Sequence, residues 1–227
     1  MNVDEQRRAA GEAAAALVGD GMALGYGTGR AAAMALEALA RRKLRVRGVP
    51  TSERTAALCR TLGLPLTTLE ETPELDLCLD GADEIDPHKQ ALKGGGGAMV
   101  REKLVALASR RRVFVIEEPK LVPRLGTTRG LPIAVLAFGW SSTLRRLAQA
   151  LPGAARRPDL NDDGNVADGF VLGHLEVSPH RAGITTADVR SSRSTSRRKR
   201  SADSLSAKAP TRTRYQIPLP GRRASAT

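Results

Sequence analysis

Aromatic side chains are scarce in this chain: two Tyr, three Phe and one Trp among 227 residues. Packing therefore falls to Leu, Val, Ile and Ala. At 41% hydrophobic, the sequence has enough of them for one domain or two small ones with a real core. Cysteine is scarcer still. Cys59 and Cys78 lie far apart in apolar contexts and read as buried free thiols, not as a disulfide framework. His174 and His180 share no metal-ligand spacing with each other or with a cysteine, and no metal is expected. No apolar run is long enough to span a bilayer. The N-terminal MNVDEQRRAAGEAAAALVGDG lacks the apolar centre of a signal peptide. The expected setting is the cytoplasm, away from membranes.

Acidic residues are also in short supply overall, and the net charge is +12. That balance invites a nucleic-acid reading, but its distribution argues against one for the body. Residues 181–227 hold twelve Lys/Arg against two Asp/Glu, which leaves 24 basic and 22 acidic residues in 1–180. The basicity belongs to a tail, whose affinity for nucleic acid would be nonspecific and lost with salt.

The first two-thirds of the chain alternates apolar strands with helical segments. Strands are predicted over 21–26, 44–50, 64–69, 75–80 and 112–118. Helices are predicted over 30–42, 53–62 (with Ser52 as N-cap) and 97–110, with Arg110-Arg111-Arg112 as a solvated helix end. This rhythm implies an α/β fold, a Rossmann-like mainly parallel sheet with helices on both faces, over 1–127. LPIAVLAF (131–138) as a strand, a helix capped by Ser141 or Ser142 and running to Leu151, and the NDDGN turn (161–165) imply a small α+β lobe over 128–176. The tail, 177–227, has almost no large apolar residues and no period of 2 or 3.6, so it is expected to be disordered.

Ligands of such sheets sit past the carboxyl ends of the strands. GYGTGR (25–30) lies at one of these ends. Its glycines let backbone approach a ligand, and the following helix offers free N–H groups to an anion. It is neither the six-residue dinucleotide fingerprint nor a Walker loop. A denser signal is DGADEIDPHKQALKGGGGAMVREK (80–103). Asp80 and Asp83 bracket a Gly-Ala turn at a strand end, Lys93 precedes four glycines, and Glu102 follows in a helix. Four consecutive glycines suit a place where several N–H groups converge on an anion or oxyanion. Single acids in such a stretch are most simply solvated hairpin charges. His88, beyond Pro87, and Asp86 are read in that way, as a solvent-facing residue and a turn residue.

DGADEID, KGGGGA and REK, in this order and spacing, resemble the signature of ribose-5-phosphate isomerase type A. GYGTG, TSERT (51–55), EEPKLVPRLG (117–126) and the LPIAV…FGW segment are also similar to that family. The likeness covers about residues 1–175. It implies a homodimeric enzyme of the pentose phosphate pathway that needs no cofactor. Its substrates are the sugar phosphates ribose 5-phosphate and ribulose 5-phosphate, and its intermediate is a cis-enediolate. It implies Glu102 as general base. Lys93 and the amides of Gly94, Gly95 and Gly96 would face the oxyanion and sugar hydroxyls. Asp80 and Asp83, with Gly81 and Ala82 between them, would hydrogen-bond hydroxyls and shuttle protons. Thr28, Gly29, Arg30, Ala31 and Lys120 would hold the substrate, and Arg7 would reach the phosphate.

Two departures stand out. The family loop usually reads GTGST, whereas Arg30 and Ala31 stand here, and Ala31 offers no side-chain hydrogen bond. Weaker substrate affinity is expected in consequence. The basic tail replaces the helix and final apolar strand with which the family ends, through a shifted reading frame or divergence, and would weaken the dimer. Two competing readings follow: an impaired isomerase, and a non-catalytic sugar-phosphate sensor whose tail grips nucleic acid. The sensor would have no need of Glu102, Lys93 and both aspartates together.

Overall fold

The computed structural model describes residues 1–151, 153–160 and 166–171. The NDDGN turn, His174, His180 and the tail lie outside these residues.

Helix α1 (Val3–Ala16) starts at a reciprocal cap: the Asn2 side chain accepts from the Glu5 amide, and the Glu5 carboxylate accepts from the Asn2 amide. Strand β1 (Ala23–Tyr26) then runs into α2 (Arg30–Arg41), β2 (Arg47–Pro50), α3 (Glu53–Leu62) and β3 (Leu75–Asp80). A two-residue hairpin, β4 (Glu84–Ile85) and β5 (Ala91–Leu92), precedes α4 (Met99–Ala108) and β6 (Ser109–Phe114). The four long strands form a parallel sheet in the order β2-β1-β3-β6. Leu24, Tyr26, Leu77, Leu79 and Val113 pack under α1, α2 and α3. Cys78 and Val49 face Val105 of α4 on the other side. The sheet is therefore covered on both faces, as its near-continuous apolar strands require.

Register places the carboxyl ends of the strands along one edge: Tyr26 lies beside Pro50 and Leu79, and Asp80 beside Phe114. The chain leaving β1 crosses Asp80 so closely that a Cβ on Gly27 would sit 2.4 Å from the Asp80 Cα. Only glycine lets backbone pass there.

Beyond a 3-10 turn at Glu118–Lys120, a three-stranded antiparallel sheet of order β7-β9-β8 forms from β7 (Leu131–Val135), β8 (Arg156–Leu160) and β9 (Val166–Val171), with α5 (Trp140–Ala150). The Arg156 guanidinium lies 4.3 Å from the Trp140 ring centre.

Several expectations need correcting. The segment 64–69 is no strand: only Leu66 bridges Gly48, because Pro65 has no N–H to give and offers its carbonyl to Gly48 instead. Helix 97–110 is shorter at both ends, and Arg110-Arg111-Arg112 is not a helix end. The three arginines lie in β6, where Leu77 pairs Arg111 and Cys78 pairs Arg112. The Arg110 side chain pairs with Glu74 at 2.8 Å, and Arg112 Nε donates to the Ala106 carbonyl at 2.6 Å. A helix-terminal carbonyl is thus satisfied by an arginine already in the strand. Strand 112–118 accordingly begins and ends earlier, and strand 131–138 stops at Val135. Neither Ser141 nor Ser142 caps α5, since Gly139 at φ 69° makes that turn with no side-chain bond. Ser52 does cap α3, accepting from the Thr55 amide at 3.0 Å. Cys59 and Cys78 are buried and free, and burial pushes the Cys59 thiol up to about 12. His88 is exposed, and the Asp86 side chain accepts from the Gln90 amide within its turn.

Glu84, wholly buried, ties the hairpin to the loop before β7. Its carboxylate accepts from the amides of Gly126 (2.6 Å), Thr128 (2.5 Å) and Arg129 (2.8 Å) and from the Thr128 hydroxyl (2.6 Å). Burial alone would raise its pKa, but these donors hold it below the ordinary value. Glu84→Gln would turn an NH₂ group toward an N–H donor. The expected loss is about 2–4 kcal/mol of unfolding free energy at neutral pH, read from urea midpoints. A depressed carboxylate pKa stabilises above the unfolded-state value, so the gap between wild type and variant should narrow as pH falls through the acid range.

Candidate active site

Asp80 ends β3, one of the two central strands of the parallel sheet, at the ligand-facing edge. Its Oδ1 accepts from the amides of Thr28 (3.1 Å) and Gly81 (2.7 Å), so it ties the loop after β1 to its own turn. Its Oδ2 lies 2.9 Å from Lys93 Nζ. Lys93 also donates to the Gly81 carbonyl at 2.5 Å and to Glu102 Oε1 at 3.2 Å, and it stands 5.9 Å from the Phe114 ring centre. All three charged groups are buried, at 2% exposure for Asp80 and 6% for each of the others.

The hairpin and the tetraglycine turn bring these groups together. β4 pairs with β5 so that Lys93 leaves the hairpin next to the end of β3. Gly94 and Gly97 then take φ values of 105° and 84°, and the Gly97 amide closes a turn onto the Gly94 carbonyl. A side chain would resist both conformations. Asp83 Oδ2 accepts from the Gly95 amide at 2.8 Å, which holds the turn against the DGAD loop. Glu102 lies early in α4 and faces inward.

One ammonium thus serves two buried carboxylates. Among the described residues Glu102 has Lys93 alone as a side-chain partner, whereas Asp80 has two amides besides. Burial pushes the Glu102 carboxyl up to about 7, against the pull of Lys93 and with help from the charges of Asp80 and Asp83. Burial disfavours the charged form of Lys93, but Asp80 and Glu102 outweigh it and hold the ammonium protonated. The floor of the site therefore contains a carboxyl poised to exchange a proton near neutrality, beside a fixed cation.

An open cleft stands above this floor. It is lined by Thr28, Gly29, Arg30, Ala31, Gly81, Ala82, Asp83, Lys93, Gly94, Gly95, Gly96, Glu102 and Lys120, all expected from the sequence, and by Arg54, which was not. Asp80 lies behind the lining.

The structure also assigns some of these residues narrower parts. The Thr28 hydroxyl does not project freely. It lies 2.8 Å from the hydroxyls of Thr51 and Ser52 and 2.9 Å from that of Thr55, which locks the loop onto the start of α3. Ala31 is buried, and Arg30 is exposed at the first position of α2. Lys120 sits 3.5 Å from Glu117 Oε2, and burial lowers its pKa against the pull of Glu117 and Asp83. Arg7 is not in the lining. Its guanidinium is engaged by Glu117 and Asp4, each at 2.7 Å. Burial opposes ionisation of Glu117, but the bond from Arg7 holds its pKa below the ordinary value. Arg7 therefore connects to the cleft through Glu117 and Lys120.

Sequence reasoning missed Arg54, Glu117 and Glu84. For Arg54 a signal existed: a cation in the first turn of a helix, where the macrodipole favours an acid. Glu117 and Glu84 gave none, because their partners lie 110 and more than 40 positions away. Among the described residues, no group of three His, Cys, Asp or Glu is arranged to hold a metal ion, and no helix is long and apolar enough to cross a membrane.

Comparison with known proteins places the chain in a family. The sequence model of ribose 5-phosphate isomerase A (phosphoriboisomerase A) matches residues 47–169. A ribose-5-phosphate isomerase A from Roseiflexus castenholzii is 49% identical over 172 residues, covering 70% of this chain and 73% of that protein. The crystal structure of ribose 5-phosphate isomerase A from Neisseria gonorrhoeae superposes with a TM-score of 0.71 at 34% identity, over 76% of this chain and 78% of that one. A D-ribose-5-phosphate isomerase solved in complex with phospho-erythronic acid gives a TM-score of 0.71 at 29% identity, over 75% and 80% of the two chains. The chain belongs to the ribose 5-phosphate isomerase A family.

Proposed function

We propose that this chain is an aldose–ketose isomerase that interconverts ribose 5-phosphate and ribulose 5-phosphate, with Glu102 as the base. The observation that carries this reading is the buried Asp80–Lys93–Glu102 cluster on the floor of a cleft with a cationic mouth. One side of such a cleft suits a phosphate, and the other suits proton transfer.

In the open-chain aldehyde, ionised Glu102 takes the proton from C2. The C2–H electron pair becomes the C1–C2 double bond, and negative charge gathers on O1. Lys93 and the Gly94 and Gly96 amides stabilise that charge, and the buried floor of the cleft strengthens the contribution of Lys93 relative to solution. Asp83, which lines the cleft, passes the O2 hydroxyl proton toward O1, completing the cis-enediolate shift, while Asp80 holds Lys93 from behind the lining. Glu102 then returns its proton to C1, and C2 becomes the ketone carbon. A single base reaches both carbons because they are adjacent. No redox change occurs, and atoms balance within the substrate. Glu102 suits both steps, since a group that titrates near the working pH is an effective acceptor and donor.

The test is turnover of ribose 5-phosphate by purified protein with chelator present; a folded but inactive protein would favour a sugar-phosphate sensor. The pH profile sharpens the test. The base acts ionised, so kcat should fall as pH drops through about 7, the value to which burial raises Glu102. The phosphate of the substrate takes its second proton near 6, so kcat, not kcat/KM alone, is the profile to fit. A kcat flat from pH 5 to 8 would remove Glu102 from this role. The same proposal includes a homodimer in the cytoplasm and a division into a Rossmann-like catalytic unit over 1–127 and a small lobe over 128–176. Size-exclusion chromatography with light scattering tests the dimer.

A further inference from the structure

Two arginines in the lining of the cleft stand where helix electrostatics disfavours them. Arg30 is the first residue of α2, a helix with no acid in its first turn and no side-chain cap. Arg54 lies in the first turn of α3, between the N-cap Ser52 and Thr55. A cation near a helix N-terminus opposes the macrodipole, and two such residues open on one cleft. Local rules broken in this manner concentrate at functional sites.

Neither guanidinium has a hydrogen-bond or ion-pair partner among the described residues, although acids are near. Glu53, the immediate neighbour of Arg54, reaches instead to Arg101 at 2.6 Å. Glu117 is taken up by Arg7 and Lys120. The position of Arg54 is nevertheless fixed. The residues on either side of it in the helix turn, Ser52 and Thr55, bond the Thr28 hydroxyl at 2.8 and 2.9 Å, and Thr55 also donates to the Gly27 carbonyl at 3.1 Å. The first turn of α3 is thereby stapled to the loop that carries Arg30 and Ala31. A buried alanine at position 31 gives that loop no hydroxyl with which to hold an anion.

We propose that Arg54, acting with Arg30, binds the phosphate of the sugar phosphate and fixes the preference for a phosphorylated substrate. This rests on the isomerase reading for the identity of the sugar, but not for the anion. A guanidinium presents paired N–H donors that match phosphate oxygens. A contact to the non-reacting end of the substrate is made equally in ground and transition states, so it acts on KM more than on kcat.

The experiment pairs turnover with direct binding of inorganic phosphate, titrated calorimetrically, for wild type, Arg54→Ala and Arg54→Lys. Arg54→Ala should raise KM for ribose 5-phosphate about tenfold, the lower end for a charge-assisted bond because the site is open to water, and leave kcat within about twofold. Phosphate binding should weaken by a similar factor, and Arg54→Lys should recover part of both. Turnover of unphosphorylated ribose should be the same in all three. Unchanged phosphate affinity in Arg54→Ala would overturn the proposal. An equal loss toward ribose would overturn it as well, since it would assign Arg54 to the shape of the cleft. If wild type binds phosphate through Arg54 but turns over no ribose 5-phosphate, the isomerase reading fails and this assignment stands.

Discussion

Glu102→Gln is expected to lower kcat for ribose 5-phosphate about 10³-fold or more, with a well-folded protein and a little-changed KM. The side chains have nearly the same shape, and the amide oxygen still accepts from Lys93. What disappears is the ability to take a proton from carbon. A positioned acid–base group contributes about 10² to 10⁴ in rate, and this one would act in both half-reactions. Stability should move the other way. Because the folded-state pKa is raised to about 7, ionising Glu102 weakens the native state as pH rises through the range between the unfolded value and 7. The neutral glutamine escapes that cost, so at pH 8 the variant should melt no lower than wild type. Kinetics at saturating substrate beside a thermal scan measures both. Retention of a tenth of the wild-type kcat would place the base elsewhere.

Lys93→Met should be the most damaging single change in the cleft. It removes the cation that lies 2.9 Å from Asp80 and 3.2 Å from Glu102, and it leaves two carboxylates facing each other away from water. Breaking a buried pair by removing one partner costs about 3–5 kcal/mol. Loss of the cation raises the Glu102 pKa further, so Glu102 takes up a proton, which limits the damage and removes the base at the same time. Activity should therefore vanish while the urea midpoint falls. Asp80→Asn added to Lys93→Met should restore part of the stability and none of the activity. Low pH should shrink the stability gap as the carboxylates protonate. A Lys93→Met protein as stable as wild type at pH 8 would mean that the cluster is solvated, against its burial.

The catalytic constellation was legible because it is local. Asp80, Asp83, Lys93, the glycines and Glu102 fall within one 24-residue stretch, and an α/β rhythm places such stretches at strand ends. The helix from Glu53 to Leu62 was legible for a similar reason: Ser52 caps it and Gly63 stops it at φ 69°. Expectations failed where a local pattern competed with a distant partner. Arg110-Arg111-Arg112 looks like a helix end, but pairing with β3 draws it into the sheet. Residues 64–69 look like a strand, but the edge beside β2 offers a single bridge there.

The sequence by itself determined the fold class, the strand ends that carry chemistry and the residue types gathered there. These follow from periodicity, caps and turn residues, which act over a few positions. Tertiary structure alone decided which charges are neutralised and which stay free. Arg7 and Arg54 are equally basic in the sequence, yet Glu117, 110 positions from Arg7, engages the first and leaves the second open to the cleft. It also decided that Glu102 titrates near neutrality, because that depends on burial and on sharing one ammonium with Asp80. Coulomb energies and desolvation are set by distance in space, and separation along the chain carries no record of it.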